Sequence, residues 1–187
     1  METSGKSALI IIDAQLGIKD EAHWGGNRNN PKAEENIKSL LDFWRGKNWP
    51  VVIVQHCSIS RTSPFWPDKE GNKLMDFIDV RKNEKLLQKS TASAFIKTDL
   101  EQHLDRIKIS DLVITGFVTN NSVEATARTA GDLGIIAVVV SDATACFDKI
   151  GINGVKYKSE VVHQLSLANL KDEYAAIRTT EEIIQKS

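Results

Sequence analysis

Cysteine is scarce: Cys57 and Cys146 are the only two in 187 residues. Two thiols cannot build a disulfide framework, and these stand without metal-ligand spacing, so they read as buried thiols in a reducing compartment. Neither sign of charge is in surplus, with 24 Lys and Arg against 25 Asp and Glu and a formal net charge of −1. Without a basic block there is no electrostatic footprint for nucleic acid or anionic lipid, and small molecules are the expected partners. No apolar run approaches the length of a membrane span, and residues 1–7 are too few and too polar for a signal peptide. A cytoplasmic location is therefore expected. Also missing are a Gly-x-Gly-x-x-Gly after the first apolar run and any phosphate-loop motif. This argues against dinucleotide and nucleotide triphosphate enzymes, and no cofactor is expected.

What is present is one globular domain's worth of chain, 1–187, with 41% hydrophobic and 26% charged residues. Apolar runs at 8–13, 51–55, 111–115 and 135–142 read as buried strands, each with a polar residue at or just past its C-terminal end. A weaker strand spans 84–88 and a short sixth one 175–178. Between them, helical spacing places Ile37, Leu40, Leu41 and Trp44 on one face after Pro31, and Leu100, Leu104 and Ile107 on another. Further helices are expected from Val123, over 159–170 and from Thr180, with loops at 15–30 and 148–154. The 58–73 loop is long enough to suggest a functional role such as a lid. Such alternation predicts an α/β fold: a doubly wound, mostly parallel six-stranded sheet with helices on both faces, a Rossmann-like three-layer sandwich. Ligands bind such sheets beyond the strands' C-terminal ends, so Asp13, His56, Lys89, the 115–122 turn and Asp142 can converge there.

Thr115 to Ala127 reads as strand, tight turn and helix without a break. Ser122 stands at the helix entrance, where unpaired N–H groups and the positive end of the helix dipole face developing negative charge. On this stretch alone the favoured reading is plainer: Asn120, Asn121 or Ser122 caps the helix.

Three motifs in order carry a resemblance. They are Asp13 after the first strand with Gln15 two residues on, Lys89 followed by Ser93-Ala94-Phe95 and Thr98-Asp99-Leu100, and Gly116-x-x-Thr119-x-x-Ser122-Val123 running into Thr126-Ala127-Arg128. Over nearly its whole length the chain resembles the isochorismatase-like cysteine hydrolase superfamily, which includes nicotinamidases and other small-amide hydrolases. The resemblance implies Asp13 as general acid and base, Lys89 as an orienting and electrostatic partner, and the nucleophile at position 122. It also implies a cis peptide joining Phe117 to Val118 and an oxyanion hole from the Val118 and Ser122 N–H groups. A homo-oligomer is expected.

One departure stands out, because family hydrolases carry cysteine where this chain has Ser122. A thiol ionises near ~8.5 and an aliphatic hydroxyl near the ~15.7 of water, a gap of about 7 units. Lys89 and a helix terminus can hold a thiolate, but a serine needs a strong base on its hydroxyl. Three readings stay open: an engineered Cys-to-Ser replacement that traps substrate, a native serine in a branch that hydrolyses a vinyl ether through Asp13 without a thiol, or a ligand-binding protein that has lost catalysis. The leading functional reading is hydrolysis of a small amide's non-peptide C–N bond through an acyl-enzyme, with an isochorismatase-like vinyl ether hydrolase as the runner-up.

His56 reads as a substrate contact, as the base of a Ser122–His56–Asp13 triad, or as a structural histidine. His103 and His163 fall on helices and are placed outside the site, and His23 lies in a loop that says nothing about its role. Nicotinamidases bind a metal through Asp-x-His after strand two and a later histidine. Gln55-His56-Cys57 stands there, no histidine occurs between Ser58 and Gln102, and no catalytic metal is expected. Phe65, Trp66 and Trp24 either wall a substrate pocket or anchor their own loops, and Gln15 is included among the substrate contacts. Glu124 with Arg128, and Glu34 with Lys38, read as surface pairs at helical spacing.

Overall fold

Ala8–Ile12 has no polar side chain, and it forms the first strand, β1, with all five residues buried. The computed structural model describes residues 6–186. Residues 1–5, on which most of the signal-peptide reading rests, lie outside the described residues. In chain order the elements after β1 are α1 (Glu21–Trp24), α2 (Ala33–Gly46), β2 (Val51–His56), β3 (Lys85–Lys89), α3 (Leu100–Ile107) and β4 (Asp111–Phe117). There follow α4 (Glu124–Asp132), β5 (Ile136–Ala145), the short strands β6 (Lys149–Ile150) and β7 (Lys156–Tyr157), α5 (Ser159–Leu170), β8 (Ala176–Arg178) and α6 (Thr180–Lys186).

Six strands form one sheet in the order β3-β2-β1-β4-β5-β8, and every pairing in it is parallel. Successive side chains of a strand point to opposite faces, so each all-apolar strand feeds two cores. Leu9, Ile11, Ile53, Val113 and Val138 pack with Ile37, Leu40, Leu41 and Trp44 of α2 and with Ile183 of α6. Ala8, Ile10, Ile12, Val52, Val54 and Ile114 pack on the other side with Leu100 and Leu104 of α3, Ala127 and Ala130 of α4, and Leu167 and Leu170 of α5. The expected α/β sandwich is the observed one. No helix among the described residues is long and apolar enough to cross a membrane.

Differences fall where chain-local patterns are weak. Within 15–30, read as loop, the chain turns through a 3₁₀ segment at Leu16–Lys19 and then α1. The 148–154 loop is part of an antiparallel hairpin, with Lys149 paired to Tyr157 and Ile150 to Lys156. β4 runs on to Phe117, and β5 runs on to Ala145 past a register shift between Ile114 and Gly116. Asp142 is therefore not at a strand end. Its Oδ1 accepts from the Thr180 N–H and hydroxyl, each at 2.8 Å, so it caps α6 instead of joining the site.

Gly116 has a backbone reason to be glycine. It pairs with Ile12 at φ +112°, and a Cβ there would lie 2.0 Å from the Ile12 carbonyl oxygen. Gly116→Ala should cost more than about 3 kcal/mol, because both the conformation and the strand contact forbid the methyl. Urea unfolding of the variant reads that loss, and a midpoint within error of the parent's would contradict it.

Candidate active site

Asp13 is the first residue past β1, and its φ of +48° turns it off the sheet edge while its N–H still bonds Val54 O at 2.9 Å. Lys89 ends β3 in register with His56 of β2. Beyond β4, the Phe117–Val118 peptide is cis. Thr119–Val123 then forms a single π turn that leads into α4. Single π turns are frequent at functional sites. Neither the π turn nor α4 has a side-chain cap. The capping reading of Asn120, Asn121 and Ser122 is thus corrected: the preceding turn supplies the backbone partners that a cap would supply, with Asn121 N bonding Val118 O at 3.1 Å.

Lys89 is the hub. Its Nζ donates to Asp13 Oδ2 at 2.8 Å, to Ser122 Oγ at 3.2 Å and to Thr91 O at 3.1 Å, and lies 3.2 Å from His56 Nδ1. The Lys89 and Asp13 side chains are 0% and 3% exposed, so their charges compensate each other in a nearly dry setting. Asp13 Oδ1 is also buried and has no hydrogen-bond partner among the described residues. Such an orphaned acceptor is costly in a folded interior and calls for a functional account. His56 does not sit on the Ser122 hydroxyl as a triad base; its Nδ1 faces the Lys89 ammonium. Burial, then the Lys89 charge, holds the His56 imidazole below its ordinary range, opposed by Asp13 and the Thr91 backbone.

A cavity of about 220 Å³ opens over this group, lined by Asp13, Ser122, Phe117, Val118, Trp24 and Phe65, with His23 and His56 also on its wall. Trp24 and Phe65 pack at 5.2 Å between centroids, and the Trp24 indole N–H is taken up by Gly17 O at 2.8 Å. Three sequence expectations change here. Trp66 is not in the wall; its Nε1 bonds Asp68 at 3.1 Å and Arg61 covers its ring. Gln15 is a fully buried clamp, donating to His56 O at 3.0 Å and Asn72 O at 2.7 Å and accepting from His56 N at 2.7 Å. His23, read as a loop residue whose position said nothing about its role, belongs to α1 and to the cavity.

Asn72, which no sequence pattern singled out, donates to the carbonyls of His56 and Phe65, each at 2.9 Å. With Gln15 it stitches the 58–73 loop to the strand ends, and Ser63 and Phe65 of this loop line the cavity. Cys146 is buried, and burial pushes its thiol up to about 12, whereas Cys57 is half-buried, contrary to the expectation for both. Glu34 pairs with Arg28 and Lys38 with Asp42, instead of with each other. Glu124 does hold Arg128, at 2.8 Å, and also accepts from Ser166 at 2.6 Å.

A model of the isochorismatase domain matches residues 7–182. The chain belongs to the isochorismatase family. It is 41% identical to the isochorismatase family protein YrdC of Bacillus subtilis over 96% of this chain and 95% of that protein. It is 33% identical to Nicotinamidase 3 of Arabidopsis thaliana over 88% of this chain and 80% of that one. Among solved structures, an isochorismatase-family protein from Chromobacterium violaceum superposes with a TM-score of 0.93 at 35% identity, covering 99% of this chain and 95% of the other.

The metal set of nicotinamidases does not fit this isochorismatase-family chain. At the equivalent place Gln55 Nε2 bonds Asn72 and His56 Nδ1 faces an ammonium, a cation where a ligand would need a metal. Among the described residues no three His, Cys, Asp or Glu side chains are grouped to hold an ion. Turnover by an active form should therefore be unchanged by EDTA, and a loss restored by zinc or iron would overturn this assignment.

His163 lies outside the cavity, yet it supports the π turn from behind: its Nδ1 is 2.9 Å from Thr119 Oγ1. Burial lowers its pKa, opposed by a hydrogen bond to the Ser141 backbone. A histidine whose folded pKa lies below its unfolded value binds fewer protons folded than unfolded, so stability is lost as pH falls through the ordinary histidine range. Urea midpoints should drop between pH 7.5 and 5.5 (about one unit either side of the ordinary histidine pKa), and His163→Gln should flatten that slope. An unchanged slope would remove His163 from the account.

Proposed function

We propose that the chain is a cytoplasmic hydrolase that cleaves the C–N bond of a small amide through an acyl-enzyme formed at position 122. The observation that carries this reading is the orphaned Asp13 Oδ1. Lys89 holds the other carboxylate oxygen and also contacts Ser122 Oγ. One acceptor is thereby left free to move a proton, beside the atom that attacks. Oγ adds to the amide carbon as its proton passes to Asp13. The tetrahedral oxyanion is held by the Val118 and Ser122 N–H groups, and Asp13 returns the proton to the departing amine. Water then cleaves the ester by the reverse sequence. Relation to Nicotinamidase 3, whose name is that of an amide hydrolase, supports an amide as substrate. Lys89 stabilises an anion but takes no proton from a neutral hydroxyl, so Ser122 makes this cycle slow.

Ammonia release from a panel of small primary amides, by the chain and by its Ser122→Cys form, tests the reading. Pyruvate from isochorismate, with no ammonia from any amide, would replace it by vinyl ether hydrolysis.

A further inference from the structure

We infer that the cavity over Ser122 selects uncharged amides and rejects amides that carry a carboxylate. The inference rests on the amide-hydrolase reading and adds the charge class of the substrate. It comes from the inventory of charge around the cavity. No lysine or arginine is among the described residues that line it, and its charged lining residue apart from imidazoles is Asp13. The nearby ammonium, Lys89, has three protons, and Asp13, Ser122 and Thr91 accept them.

The neighbouring guanidinium groups are committed elsewhere. Arg28 lies 5.6 Å from the Phe117 ring centroid, contributes to a separate cavity with Asn30 and His163, and is paired through two nitrogens with Glu34. Arg61 covers Trp66, outside the wall. His56 supplies no counter-charge near neutral pH, because burial and Lys89 disfavour its protonation. The apolar part of the wall is Ile18, Trp24, Phe65, Ala92, Phe117 and Val118, against which an acyl group gains contact area, and the polar part, Ser63, Ser90, Thr91, Asn121 and Ser122, is uncharged.

A ligand carboxylate placed here would shed water without gaining a cation, and would share the cavity with the Asp13 carboxylate. A neutral amide meets neither cost. At about 220 Å³ the space falls below the ~300–1,000 Å³ of drug-sized sites, which suits a small amide. Dicarboxylates such as isochorismate fall in the rejected class.

Isothermal titration of the Ser122 chain tests this with two matched pairs, benzamide against 4-carbamoylbenzoate and butanamide against succinamate. All four titrations are run at one pH. Each carboxylated member should bind at least about tenfold more weakly than its neutral partner. Equal or tighter binding of either carboxylated member overturns the inference. So does failure of both neutral amides to saturate at high millimolar concentration. The reaction is read separately in the Ser122→Cys form. Ammonia released from both members of a pair at equal kcat/KM keeps the amide hydrolase and removes the charge rule. Selective binding of the neutral members without ammonia from any amide does the opposite.

Discussion

The Ser122→Cys protein should form an acyl-enzyme from a small amide at least about 1,000-fold faster than the Ser122 chain. The side chain keeps its shape, so packing around a residue 5% exposed changes little. What changes is acidity. The gap of about 7 units between a hydroxyl and a thiol puts the serine anion out of reach for a carboxylate and an ammonium, but brings a thiolate within it. Lys89 Nζ, 3.2 Å from Oγ, then stabilises the nucleophile directly. Rapid-quench detection of the acyl adduct measures the rate. Iodoacetamide should label position 122 ahead of Cys57 and of Cys146, whose thiol burial pushes up to about 12. A new thiol that reacts like free cysteine, in a protein inert to every amide of the panel, would end the amide-hydrolase account.

Asp13→Asn in that active background should lower kcat by roughly 100- to 10,000-fold, the usual range for removing a general acid and base, with KM little changed. The change also withdraws the counter-charge from a fully buried ammonium, and breaking a buried pair this way destabilises by about 3–5 kcal/mol. Circular dichroism and gel filtration therefore accompany the kinetics, so that the rate is referred to folded protein. If folded Asp13→Asn enzyme turns over near the parent rate, Asp13 is not the proton carrier, and the free Oδ1 has another explanation.

The family match and these two experiments bear on different levels. Membership follows from 7–182 as a whole, whereas the chemistry turns on a few atoms around Lys89. YrdC, at 41% identity, carries a family name without a substrate in it, so the family alone does not choose a reaction.

Sequence alone determined the sheet and the edge its strands share, while β4 and β5 run past the ends read for them. Runs such as Ala8–Ile12 and Val51–His56 have one workable outcome, a parallel strand buried on both faces, and their C-terminal ends must then share an edge. Asp13 and Lys89 were legible as edge residues for that reason, whereas Ser122, read on its own stretch as a cap, stood out only through the family resemblance of its motif. The rest depends on which partners the packed fold supplies. Gln15 turned inward because the His56 backbone and Asn72 wait 41 and 57 residues away. Asp142 was drawn off the site by Thr180, and Trp66 off the wall by Asp68, while His23 reached the cavity on a helix too short to show a period. A strand declares its two faces through a period of two residues; a loop side chain has no period, and only the packed fold decides where it points.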